Sequence, residues 1–431
     1  MKSSHSTDTR RYLNLYFQVH QPRRLQQFRF FDIGTGKSYF DDGLNAEIMR
    51  GIASRCYLPA NQLLLKLIGK HPGIRVTFSL SGLALEQLEH YAPEALASFK
   101  LLAGTGAVEF LAETYYHSLA FLTSKNEFEG QVRKHQQKMQ ELLGVKPTVL
   151  RNTELIYSDD LGHCASEMGF KGMYTDGIDS ILLGRTPHRL FEHPQANGLK
   201  LFLRHYRLSD DIAFRFSNRQ SKDWPLTARK FNRWLEKIPM DNSLINLAMD
   251  YETFGEHHKT ETGIFTFLEQ LLTTIVRRRT CTMVTPTEAI DQLIPADTIK
   301  VPGCISWADR ERDLSAWLGN EIQRDAFDSL NRLWPAVQAL NHTGFFRVFR
   351  YLQTSDHFYY MSTKKNDDGN VHQYFSPYAS PYEAFINYMN VLGDFEYQLD
   401  KEKGKQKEQL GKQRLIPLRS RRRKSDVFTD S

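Results

Sequence analysis

The feature that most constrains this chain is a repeated change of hydrophobic period. From Tyr12 to about Pro286, short segments of period two alternate with longer segments of helical period. Leu13, Leu15, Phe17 and Val19 alternate with polar or aromatic residues, and that run ends at His20. Ile74, Val76, Phe78 and Leu80 repeat the pattern. Val108–Leu111, Thr148–Arg151, Gly172–Thr175, Leu201–Leu208, Leu244–Met249 and Cys281–Val284 are the other strand candidates. Between them Asn61–His71, Glu94–Leu102, Asn126–Leu143, Asp159–Met168, Thr227–Ile238 and Thr262–Arg279 read as helices. The long one has an N-cap at Ser124 or Asn126 and stops at Gly144. Strands alternating with helices require a parallel sheet with right-handed crossovers. A unit of this length closes into a (β/α) barrel of seven or eight strands, with an open doubly wound sheet as the runner-up.

After Val301–Pro302–Gly303 the strands stop. Glu311–Leu340, Phe346–Met361 and Pro381–Lys403 read as helices, with a turn-rich loop at Asn366–Asn370. The expected organisation is therefore a flexible N-terminus at 1–11, a catalytic barrel at 12–300, a helical domain at 301–400 and a basic tail at 401–431. The tail accounts for the net charge of +6. Between Lys401 and Lys424 eleven Lys or Arg face two Glu, which leaves the rest of the chain slightly acidic. Few apolar residues interrupt this stretch, so it is expected to be disordered. A solvated terminus is preferred there over contact with nucleic acid.

Several function classes are set aside. No G-x-G-x-x-G follows the first strand, and no P-loop motif or G-x-S-x-G occurs. No apolar run reaches the roughly 18 residues of a membrane span. Met1 to Arg11 lacks an apolar signal core. The four cysteines are far apart and form no CxxC pair, which fits a reduced, cytoplasmic chain. Gly255–Glu256–His257–His258 lacks the spacing of a helical zinc motif, and neither metal nor cofactor is expected.

Barrel enzymes keep their chemistry at the C-terminal ends of strands. Two carboxylates stand there. Glu154 follows the strand candidate at Thr148–Arg151, with Arg151 and Asn152 expected to keep it ionised. Asp250 ends Leu244–Met249, an apolar setting that raises a carboxyl pKa and suits proton donation. Two carboxylates facing one cleft is what glycosidic bond cleavage requires. Glu252 lies two residues on, on the same face if the strand continues, where it would hold Asp250 protonated or bind substrate hydroxyls. His20 ends the first strand. Glu109 sits in the apolar frame Ala107–Ala112, where a carboxylate needs partners, and is expected in the polar cleft. Thr354–Tyr360 combines Asp356 with three aromatics able to stack on sugar rings. Trp307–Asp313 reads as a charged helix entry whose ion pairs are structural.

These segments together resemble glycoside hydrolase family 57, in its α-amylase-type subgroup, from about Tyr12 to Gly393. His20–Gln21–Pro22 resembles the family's first motif, and Val108–Phe110 running on to Tyr115–Tyr116–His117 resembles the second. Asn152–Tyr157 is similar to the third, with Glu154 in the nucleophile's place. Asp250–Gly255 is similar to the fourth, whose leading aspartate is the acid/base. Ser355–Tyr359 is similar to the fifth, where an acid and an aromatic, here Asp356 and Tyr359, contact substrate. Five motifs in order are a specific signal, and both catalytic positions are kept. The resemblance implies an incomplete (β/α)7 barrel followed by a helical bundle that completes the cleft. It also implies retention of anomeric configuration, no obligatory metal, and α-glucan or maltooligosaccharide substrates cleaved at α-1,4 bonds. His20, Glu109, Glu252 and Asp356 would hold the sugar. The alternatives are a 4-α-glucanotransferase or branching enzyme using the same residues, or a non-catalytic glucan-binding protein.

Overall fold

A computed structural model of the chain describes residues 9–196, 198–364 and 376–414. β1 (Arg11–Val19) shows where the period-two signal comes from. Its odd-numbered apolar residues Leu13, Leu15, Phe17 and Val19 face outward, into a helix-covered core shared with Val76, Phe78, Leu247 and Met249. Its even-numbered residues face the barrel lumen. Tyr12 and Tyr16 pack there against Leu111, Tyr174, Phe202 and Leu244. Asn14 donates to Thr77 Oγ1 at 2.8 Å and to the Val284 carbonyl at 3.0 Å. A strand buried on both faces must bond its inward polar groups, and this one does.

The ring is completed by β2 (Val76–Leu80), β3 (Val108–Phe110), β4 (Val149–Leu150), β5 (Gly172–Asp176), β7 (Lys200–Arg204) and β8 (Ser243–Asp250). Round the ring the order is β3–β2–β1–β8–β7–β5–β4, every pairing parallel. β4 returns to β3 through the single bridge Ala112↔Leu150. The β7–β8 seam is also thin, with one paired register, Arg204↔Asn246. Side chains make up the missing ladder: Asn246 Nδ2 donates to the Leu203 carbonyl at 3.1 Å, and Arg204 Nε to the Ala248 carbonyl at 2.8 Å. The sheet is thus an incomplete (β/α)7 barrel. The expected last strand, Cys281–Val284, does not enter the ring; β9 (Thr282–Met283) adds only two pairs to the foot of β1. β6 (Leu190–Glu192) lies antiparallel on β7, and β10 (Asp297–Thr298) extends β6. The expected strand Leu201–Leu208 is shorter than its apolar run, because Tyr206–Ala213 turns helical.

The helical part differs from expectation in its breaks. Glu311–Leu340 is three helices, Ser315–Leu318, Glu321–Arg332 and Trp334–Leu340. The Asn320 capping box starts the second, and Pro335 at the start of the third can donate no helical bond. Phe346–Met361 is two helices, Thr343–Leu352 and Ser355–Tyr359. Trp317, Leu330, Phe349, Phe358, Tyr388 and Phe395 form their common core, which also takes in Leu25, Leu119 and Ile156 from loops of the barrel. The two parts therefore share packing. The last helix, Pro381–Arg414, continues into the stretch expected to be disordered. Lys, Glu and Gln are strong helix formers, and pairs such as Lys403–Asp400 (3.1 Å) and Lys405–Glu402 (3.0 Å) join successive turns. Residues 415–431 and the loop Asn366–Asn370 lie outside the described residues. Among the described residues no helix is long and apolar enough to cross a membrane. All four cysteines are free.

Candidate active site

Glu154 is delivered by a strained turn. β4 ends at Leu150, and Thr153–Leu155 forms one turn of 3-10 helix in which Glu154 and Leu155 take φ of 58° and 51°. Left-handed backbone at non-glycine residues costs about 1–3 kcal/mol each and persists only where the surroundings enforce it. Here Leu155 is fully buried in the lumen core, and Asn152 Nδ2 donates to the Ile156 carbonyl at 3.1 Å across the turn. His117, also at positive φ (49°), meets Glu154 from the loop after β3.

His117 is the centre of the electrostatics. Its Nδ1 is 2.9 Å from Glu113 Oε2, and its Nε2 is 3.2 Å from Glu154 Oε1. Ionised carboxylates only accept, so both ring nitrogens donate and His117 is an imidazolium. Burial works against that charge, but the bonds to Glu113 and Glu154 overcome it and raise the His117 pKa to about 9. The same charge acts back on the acids. Burial would raise Glu113, yet His117 and Arg151 hold it down to about 2. Glu154 is likewise kept below the usual carboxylate range, burial being outweighed by His117 and Arg151. Glu154 takes two further donors: Trp307 Nε1 to its Oε2 at 2.8 Å, and Ser355 Oγ to its Oε1 at 3.4 Å.

His20 stacks on His117 with ring centroids 3.8 Å apart. Its Nε2 donates to Asp356 Oδ2 at 2.9 Å, and its Nδ1 accepts from Ser81 Oγ at 2.7 Å, the neutral tautomer. Burial and the charge on His117 lower the His20 pKa, so one cation rather than two sits in the stack. Asp356 resists burial and stays ionised, held below its ordinary range chiefly by His20. The helix Ser355–Tyr359 carries it, and Ser355 N–H bonds the His117 carbonyl at 2.9 Å.

Asp250 is the last residue of β8, level with Gln18 of β1. Burial first, and the negative charge of Glu154 second, push its pKa up to about 6; Arg151, His117 and Arg204 pull the other way. The strand does not continue to Glu252, because Tyr251–Thr253 closes a 3-10 turn. Glu252 is buried, accepts from the Tyr57 hydroxyl and from Gln21 Nε2 at 3.3 Å, and is pushed up to about 8 by burial and then by Asp250. Tyr57 ends a π-helical turn, Ala53–Tyr57, that aims it there.

The structure thus gathers His20, Glu154, Asp250, Glu252 and Asp356. Glu109 is elsewhere. Its carboxylate accepts from the Thr287 amide (2.9 Å) and hydroxyl (2.7 Å), at the first turn of the helix Pro286–Gln292. Strand alternation puts residues 109, 111 and 113 on one face, and it is Glu113, higher in the barrel, that reaches the site. Tyr359 packs its ring against Trp317, centroids 6.4 Å apart, in the helical layer. His258 is occupied by Ser217 Oγ at 2.8 Å and by the Ile212 and Ala213 carbonyls. Among the described residues no three His, Cys, Asp or Glu side chains gather as a metal ion requires. Glu113 was assigned no role from sequence, His117 entered only as the end of the Val108–His117 stretch, and Trp307 only at the head of an expected charged helix entry, which is a run of turns and bends here. A second lumen-facing acid in the frame of Glu109 was the readable signal for Glu113; nothing periodic marks Trp307.

Comparison with known proteins bears on this arrangement. The profile of Glycosyl hydrolase family 57 matches residues 14–302. A Methanocaldococcus jannaschii protein named "Putative alpha-amylase" is 42% identical over 393 residues, 88% of this chain and 83% of that one. Among solved structures, the 4-alpha-glucanotransferase of Thermococcus litoralis superposes with a TM-score of 0.62 at 16% identity, covering 81% of this chain and 56% of that one. The family 57 branching enzyme of Thermococcus kodakaraensis gives 0.61 at 15% identity, covering 84% and 87%. At such identities these two likenesses concern the fold.

Proposed function

The chain belongs to glycosyl hydrolase family 57, and from that membership we propose that it is a retaining, α-amylase-like enzyme acting on α-1,4-linked glucans. Glu154 is the nucleophile and Asp250 the general acid/base. The observation that carries this reading is the separation of two coupled carboxyls, Glu154 held ionised and Asp250 raised to about 6. Pairs whose surroundings push their pKa values apart mark acid and base assignments.

In the first step a Glu154 oxygen attacks the anomeric carbon, the glycosidic C–O bond breaks, and Asp250 transfers its proton to the departing oxygen. Forming the glycosyl ester removes the negative charge of Glu154. That charge is the second cause of the raised Asp250 pKa, so Asp250 becomes a stronger acid and stays deprotonated. It is then ready to take a proton from the incoming hydroxyl, which attacks the same carbon and releases Glu154. His117 and Trp307 stabilise the carboxylate as it leaves. Asp356, His20 and protonated Glu252 are the candidate sugar hydroxyl partners.

Water as the acceptor gives hydrolysis, and a sugar hydroxyl gives transglycosylation on the same residues. Product sizing on maltoheptaose separates the two, and proton NMR of the first products reads the anomer. An initial β-anomer, or near-normal turnover by Glu154→Gln, is incompatible with the proposed mechanism.

A further inference from the structure

The segment Ile305–Asp313 crosses the mouth of the barrel as a folded strap. Ile305 pairs with Tyr157 through two backbone bonds of 2.9 and 3.0 Å. Ser306 closes the far end, its N–H bonding the Arg312 carbonyl at 2.9 Å and its Oγ the Asp313 carbonyl at 2.7 Å. Trp307, just inside the closure, brings its indole to Glu154. Two non-glycine residues of the strap, Asp309 and Arg312, stand at φ of 55° and 54°. Strain of this kind needs contacts that enforce it.

Arg312 supplies such contacts. Its Nη1 donates to the Trp307 carbonyl at 2.6 Å and to Asp176 Oδ2 at 2.9 Å, and its Nη2 reaches Asp210 Oδ2 at 3.3 Å. Asp176 ends β5, and Asp210 lies on the helix after β7, so both are fixed to the barrel wall. Arg204, at the end of β7, engages the same two acids, at 2.5 Å to Asp210 and 3.7 Å to Asp176. The Arg204 guanidinium also lies over the Trp307 ring, 5.6 Å from its centroid, and that of Arg151 lies at 5.1 Å. Asp176, Asp210, Arg204 and Arg312 thus form a group of two acids and two arginines beside Trp307. On the other side of the strap Lys364 bonds Asp309 (2.8 Å), Glu311 (2.9 Å) and Ser315 (2.7 Å).

We propose that Arg312 is a positioning residue for the nucleophile. By holding the Trp307 carbonyl and the Asp176–Asp210 pair at once, it keeps the indole N–H on Glu154. The proposal rests on the reading of Glu154 as nucleophile. A lysine could neutralise the two acids, but its single ammonium does not reproduce the planar fork that joins three acceptors.

The test compares Arg312→Gln and Arg312→Lys with the full-length wild type on 4-nitrophenyl α-maltotrioside, whose leaving group needs no proton from Asp250. Misplacement of a reacting group by about 1 Å costs on the order of 100-fold. Arg312→Gln should lose about that much kcat with KM changed less than about threefold, and its acid limb in kcat/KM should move to higher pH as Glu154 loses a donor. Arg312→Lys should recover less than about a tenth of the wild-type rate, by the same geometric argument. Wild-type kcat and pH profile in Arg312→Gln overturn the proposal. So does full rescue by lysine, which would leave charge balance as the only role. A defect seen on glucans but absent on the activated glycoside would move the role to Asp250 and overturn it too. Fluorescence provides a readout without turnover. The difference between wild type and Trp307→Phe isolates the indole, whose emission should shift to longer wavelength in Arg312→Gln, and no shift overturns the proposal. Should Arg312→Gln fail to fold, Arg312→Lys carries each comparison. Glu154→Gln separates the two readings: if it turns over normally the nucleophile assignment falls, while the fluorescence still reports on Arg312.

Discussion

The two strand ends that carry the acids are built in opposite ways. β8 runs eight residues, pairs along its length with β1, and delivers Asp250 as its last residue. β4 runs two residues, and Glu154 follows on a left-handed turn held by side chains from distant parts of the chain. The acid needs little beyond burial and a charged neighbour to reach a pKa of about 6. Glu154 stays charged while almost enclosed, which takes an imidazolium, an indole and a hydroxyl. Keeping a buried group neutral follows from desolvation alone; keeping it ionised requires aligned partners.

The most severe way to break this contrast is Glu154→Gln. Loss of the proposed nucleophile should lower kcat on maltoheptaose by about 10⁴-fold or more. It should also move the Asp250 pKa down from about 6 towards an ordinary carboxylate, because one of its two raising causes is gone. Carbon NMR of labelled aspartate follows that shift, and an unmoved Asp250 would mean the two acids are not coupled. In the wild type, the rate of the glycosylation step should fall as pH rises through about 6, where Asp250 loses its proton.

His117→Asn removes the cation between Glu113 and Glu154. Breaking a buried ion pair from one side costs about 3–5 kcal/mol, and urea unfolding measures it. The acid limb of kcat/KM should move up, since Glu154 loses the strongest of the interactions that outweigh its burial and hold it ionised. On the β8 side, Leu247→Ala should cost a comparable or smaller amount, about 2–4 kcal/mol for a buried leucine. Activity per folded molecule should be roughly unchanged, because Asp250 depends on the strand as a whole. A large loss of specific activity there would erase the distinction between the two ends.

The last prediction concerns Glu252 and the pH dependence of stability. Its folded pKa of about 8 lies above the unfolded value near 4.5. The folded state therefore keeps a proton that the unfolded state releases. The associated stability is present in full below about pH 4.5 and is lost as pH rises towards 8, at on the order of 1 kcal/mol per pH unit. Glu252→Gln should flatten that part of the stability profile, and an unchanged slope would mean that Glu252 is ionised in the fold.

Much of this architecture was legible in the residues. Period two placed the seven ring strands, and the ends of two apolar runs pointed to Glu154 and Asp250. Alternation also put Glu109 and Glu113 on one face but did not say which layer of the lumen each occupies. That depends on where the neighbouring helix Pro286–Gln292 presents its first-turn amide to Glu109. The run from Lys401 departs from expectation for a different reason: its few apolar residues suggested disorder, whereas pairs three residues apart make it helical through Arg414. Trp307–Asp313 reads as a helix entry because its charges cluster, but it folds as a strap of turns, and a strap has no periodic signal.

What the sequence by itself determined is the alternation that forces a parallel sheet, and the placing of two carboxyls where strands end, since both follow from local periodicity and burial. What only the tertiary structure decided is which groups set the charge of each carboxyl. Burial raises the pKa of both Glu154 and Asp250, and against it act Arg151 beside Glu154 and His117 and, on Asp250, Arg204, which arrive from other strands and loops. Electrostatic energy depends on distances through space, and those exist only once the chain has closed.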